Sequence, residues 1–90
     1  MTMTANGLAK LVEECGELMQ VAAKKMACPN TDEHWDGAGS LKTRLEEEIA
    51  DVIAACGFVM LTHQLDEEKI LSRAMLKIST FQQWHANQPN

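Results

Sequence analysis

The sequence has 90 residues, a net charge of −5, 46% apolar and 4% aromatic residues, two Pro and no Tyr. That length allows one domain at most, spanning residues 1–90, and the acidic balance argues against a nucleic-acid polymer or an anionic membrane as partner. Few aromatics and prolines favour helices over a sandwich or barrel.

Thr4 or Asn6 can cap a first helix that starts at Ala5 or Gly7 and runs to Ala27, where Pro29 ends it. Leu8, Leu11, Val12, Cys15, Leu18, Met19, Ala22 and Met26 repeat at the spacing of an amphipathic helix. Between Cys28 and Gly39 no period survives. Pro29-Asn30, Asp32, Asp36-Gly37 and Gly39 mark turns, and Trp35 reads as a plug over the core or as a stacking surface for a base.

Ser40 is the expected N-cap of a second helix from Leu41 to about Gln64. Beyond Asp51 it is apolar nearly all round, from Val52 to Leu61, so it is central or lies between subunits. That run is about half the length a bilayer crossing needs, and the N-terminus shows no signal peptide. Asp66 caps a third helix from Glu67 to about Ala86, with a stripe of Ile70, Leu71, Ala74, Met75, Ile78 and Phe81. The expected fold is all-α: an antiparallel bundle of three main helices, with room for one extra short helix, completed by oligomerisation. A chain of this length buries too little surface to be more than marginally stable alone. Three cysteines without a C-x-x-C pair fit a reducing cytoplasm, and no Cys/His spacing fits zinc.

Two acidic runs carry the chemistry, Glu13-Glu14-Cys15-Gly16-Glu17 and Glu46-Glu47-Glu48-Ile49-Ala50-Asp51. Residues three apart on a helix project side by side. Glu14 and Glu17 form one such pair, Glu48 and Asp51 the other. If the two helices pack antiparallel, the four carboxylates converge. Hard oxygen ligands in that number suit Mg²⁺ or Mn²⁺, above all ions that also hold a substrate phosphate. The plain alternative is a solvated acidic face. Against it, both pairs adjoin apolar stripes, and adjacent like charges weaken a helix. Lys10, Arg73 and Lys77 lie near the seam and are the candidate phosphate contacts.

These runs, embedded in Leu11-Val12-Glu13-Glu14-Cys15-Gly16-Glu17-Leu18 and Leu45-Glu46-Glu47-Glu48-Ile49-Ala50-Asp51-Val52, resemble the signature of the MazG-like all-α nucleoside triphosphate pyrophosphohydrolases. The helix order also fits, from about Leu8 to Phe81. The resemblance implies Mg²⁺-dependent hydrolysis of nucleoside triphosphates, unusual or deoxy ones included, to a monophosphate and pyrophosphate. It implies metal held by Glu14, Glu17, Glu48 and Asp51, with Glu13 and Glu47 supporting, and Lys10 at a commonly basic position. It also implies a homodimer or homotetramer. The spacer from Glu17 to Glu48 is long for the pattern. Ala54 and Ala55 stand where some relatives carry a polar or aromatic side chain, so base choice does not carry over and Trp35 is a stacking candidate only. Two rivals stand beside this reading. One is a phosphoribosyl-ATP pyrophosphohydrolase. The other is a non-catalytic oligomerisation module that binds nucleotide or metal.

Overall fold

The computed structural model describes residues 7–88. The proposed caps Thr4 and Asn6, and Pro89 in the tail, lie outside the described residues. The chain is all-α: α1 spans Leu8–Ala27, α2 Leu41–Thr62 and α3 Glu67–Ala86, with no strand among the described residues. No described helix is long and apolar enough to cross a membrane.

The caps explain the boundaries. Ser40 Oγ accepts from the Thr43 backbone N–H at 3.4 Å, and Asp66 Oδ1 accepts from the Lys69 N–H at 3.0 Å. Glu67 and Glu68 in the first turn of α3 oppose its dipole favourably. α1 starts differently: its N-cap is Gly7, at φ 93°, with no side-chain cap bond. A Cβ on Gly7 would lie 2.5 Å from Phe58 Cδ2, so the glycine lets α1 begin directly against α2. We expect Gly7→Ala to destabilise the chain by about 2 kcal/mol through the forced left-handed φ and the displaced Phe58 ring, measured by urea denaturation.

α1 and α2 are the packed pair. Their register is antiparallel. Gly7 meets Phe58, Leu11 shares a cavity with Cys56 and Met60, and Glu17 faces Glu48. As numbers rise along α1 they fall along α2. The buried apolar side chains are Val21, Cys28, Leu41, Ala55 and Val59, with Leu41 fully enclosed. Leu41 also fixes the loop, since its N–H donates to the Asp32 carbonyl at 2.7 Å.

The loop between α1 and α2 is tied down by Asp36. Its carboxylate pairs with Lys24 at 3.0 Å and takes Arg44 on both oxygens at 3.2 Å, while Oδ1 also accepts the Ala38 N–H. Lys24 and Arg44, with their neighbours in this cluster, hold the Asp36 carboxyl far below the ordinary carboxylate range. Trp35 is not a plug: it is 80% exposed. The side chain against the protein is its neighbour His34, whose ring lies 3.9 Å from the indole.

After α2 the chain turns through Gln64, at φ 53°, and α3 leads away, burying none of its residues. The extents are 43 × 34 × 15 Å, so the molecule is little more than one helix thick. Its radius of gyration is 16.0 Å, against about 12 Å for a compact chain of this length.

Candidate metal centre

The antiparallel register brings the two acidic runs together. α1 presents Glu14 and Glu17 to α2, and α2 presents Glu48 and Asp51 to α1. Glu17 lies at the middle, within hydrogen-bonding reach of both Glu14 and Glu48, and the charge of Asp51 acts on both of those. Two ionised carboxylates cannot bond to one another, so each close approach demands a shared proton or a cation.

Glu13 joins the group. One oxygen each from Glu13, Glu14 and Glu17 lies within 4.8 Å of the others, and Lys10 Nζ pairs with Glu13 Oε1 at 3.3 Å. The α1 carboxylates, Glu13 foremost, raise the Lys10 pKa and keep its ammonium charged. Glu47, solvent-exposed, adds its negative charge to the field at Glu48.

Glu48 carries the strongest sign of an unmet requirement. Its Oε2 is shut off from solvent and has no hydrogen-bond partner. A buried acceptor without a partner is costly, and more so for an ionised group. Partial burial, then the charges of Glu17 and Asp51, push the Glu48 pKa above its ordinary value of 4.5; burial, then Glu17 and Asp51, do the same to Glu14. A divalent cation would relieve such penalties, and among the described residues the oxygens close enough to share one are those of Glu13, Glu14 and Glu17.

The raised pKa values have a consequence for stability. In the folded state Glu14 and Glu48 bind protons more readily than in the unfolded chain. Metal-free stability should therefore rise as pH falls from neutrality to just below the ordinary glutamate value. Asp36 has the opposite sign: its ion pairs stabilise the fold at any pH above the ordinary aspartate range, and that contribution is lost on further acidification. Thermal melts in chelator should show a maximum in the mildly acidic range. A steady decline from pH 7 downward would contradict this balance.

Other expected site residues are placed elsewhere. Arg73 lines a separate cavity of about 470 Å³ with Leu65, Asp66, Lys69, Ile70 and Ala74, at the start of α3. Lys77 Nζ sits 6.0 Å from the centre of the Phe81 ring. Within one chain, then, Lys10 is the expected cation that stands among the carboxylates. Trp35 belongs to the loop at one end of the helix pair. Ser40, closing that loop, precedes Glu48 by two turns, roughly 12 Å along α2.

Sequence reasoning missed the Asp36 hub, because Lys24 and Arg44 read as ordinary surface charge. The Asp36-Gly37 turn was visible, but partners eight and twelve positions away follow no local rule. No protein-family model matches the chain, and neither a curated protein nor a solved structure matches it.

Proposed function

We propose that the chain is a Mg²⁺-dependent hydrolase that splits nucleoside triphosphates, unusual or deoxy ones included, into a monophosphate and pyrophosphate. This is the activity of the MazG-like superfamily that its two acidic runs resemble. The observation that carries the reading is the enclosed, partnerless Glu48 Oε2 within carboxylates drawn from two helices. Acids placed only for solubility would point away from one another and into water.

Glu14, Glu17, Glu48 and Asp51 are the metal-holding set, with Glu13 and Glu47 reinforcing the negative field around it. When bound, Mg²⁺ or Mn²⁺ supplies positive charge against the triphosphate and lowers the pKa of a water. Glu14 or Glu17 accepts the proton of the attacking water. Lys10, held charged at the edge of the group, offsets phosphate charge. Trp35 offers an exposed indole on an ion-paired loop, a surface on which a base can stack. Arg73 and Lys77 reach phosphate only through an assembly of chains, and a homo-oligomer is part of this reading. Three free cysteines suit a reducing, cytoplasmic setting.

The test is a panel of ribo- and deoxynucleoside triphosphates with Mg²⁺, followed by phosphorus NMR. Monophosphate and pyrophosphate should appear in equal amounts from at least one of them. Release of orthophosphate instead, or no turnover of any substrate, would refute the hydrolase assignment.

A further inference from the structure

The loop between α1 and α2 holds an open cavity of about 410 Å³, lined by Asp32, Glu33, His34, Gly37, Gly39 and Ser40. Trp35 belongs to the same loop and is exposed. One face of its indole is taken, since the His34 ring lies 3.9 Å away at a tilt of 30°. That stack orients the indole and leaves its opposite face to solvent. Gly37 and Gly39, at φ 67° and 107°, put no side chain into the cavity wall, and a Cβ on either would meet no atom within 4 Å. A flat ring can therefore come against the backbone there.

Most polar side chains of the loop are already engaged. Asp32 Oδ1 pairs with Lys25 at 3.1 Å, Asp36 is held by Lys24 and Arg44, and Ser40 Oγ accepts the Thr43 N–H. Two neighbours in the wall keep unmet groups. Glu33 donates its N–H to Thr31 Oγ1 at 3.1 Å, but its carboxylate meets no donor among the described residues. His34 has a side chain only 6% exposed. Its Nδ1 accepts the Asp36 N–H at 3.1 Å, so the ring keeps a hydrogen on Nε2, for which the described residues supply no acceptor.

The cavity thus offers one N–H donor beside a carboxylate with two acceptor oxygens. Among the four common bases, guanine has the matching edge. Its O6 accepts, and its N1–H and 2-amino group donate side by side, as a carboxylate takes the fork of an arginine. We infer that this cavity is a guanine site: the base stacks on Trp35, Glu33 accepts from N1–H and the 2-amino group, and His34 Nε2 donates to O6. The inference rests on the hydrolase reading and deepens it by choosing guanine nucleotides as the substrate. Ser40 in the cavity wall stands roughly 12 Å along α2 from Glu48, which leaves room for the sugar and phosphates of one nucleotide.

A nucleoside in chelator tests the site apart from catalysis, because it has no phosphate to lose. In a Trp84→Phe background Trp35 is the remaining tryptophan, and its emission reports binding. Guanosine should quench it at concentrations at least ~10-fold lower than inosine, which lacks the 2-amino group, 1-methylguanosine, which lacks N1–H, or uridine. Glu33→Gln should abolish that preference and leave all four nucleosides to stack alike. Equal quenching by the four with Glu33 in place, or no quenching at all, would overturn the inference. So would a guanosine preference that survives Glu33→Gln. A guanosine preference without turnover of GTP or dGTP in Mg²⁺ would refute the hydrolase reading and keep the guanine site.

Discussion

Replacing Glu48 by glutamine should cut turnover at least ~100-fold and, at the same time, make the metal-free protein more stable. The two signs come from one cause. Glu48 Oε2 is enclosed and partnerless, and Glu17 faces it. A neutral amide removes one charge from that confrontation and offers a donor to Glu17, so the empty cluster relaxes. The same amide is a poor ligand for a hard divalent ion, so the chemistry fails. Initial rates of pyrophosphate release and thermal melts in chelator read the two effects separately. A variant that loses stability as well as activity would make Glu48 a structural residue and remove the basis for the site.

Mg²⁺ or Mn²⁺ should stabilise the protein by a margin few surface contacts could match. A ligand at 100 times its dissociation constant adds about 2.7 kcal/mol. For a chain of this size that is a rise in thermal midpoint on the order of 10 °C. The gain should shrink as pH falls, because protons compete for Glu14 and Glu48, whose pKa values are raised. K⁺ at equal ionic strength should give little of it. A shift of equal size from K⁺ would mean that general screening, and not coordination, relieves the carboxylates.

Much of this arrangement was legible in the residues. Helical period and capping chemistry placed α2 and α3 within two residues of their ends, because Ser40 and Asp66 satisfy orphan N–H groups wherever such residues precede a periodic run. The i, i+3 pairing of Glu14 with Glu17 was also legible from spacing, and in the antiparallel pair the charge of Asp51 acts on both Glu14 and Glu48. What spacing could not give was the third helix's attachment. The stripe of α3 is equally compatible with packing on its own chain or on another; in the structure it meets the helix pair at Ile70, beside Leu11, Cys56, Val59 and Met60, and no residue of α3 is buried. Arg73 and Lys77 were expected near the seam as phosphate contacts; within one chain Arg73 lines the cavity at the start of α3 and Lys77 lies over Phe81. Trp35 was misread as a plug for a related reason. The side chain turned inward is His34, and the choice between two neighbouring rings depends on the ion pairs around Asp36, which are not local in sequence.

The most direct test of the two-helix metal centre is a Mn²⁺ titration followed by electron paramagnetic resonance, comparing the unaltered chain with Glu17→Gln on α1, Asp51→Asn on α2 and Glu67→Gln on α3. Affinity should fall at least ~10-fold in each of the first two and stay unchanged in the third. Undiminished Mn²⁺ binding by Asp51→Asn would confine the ion to the α1 carboxylates and contradict a centre built between the helices.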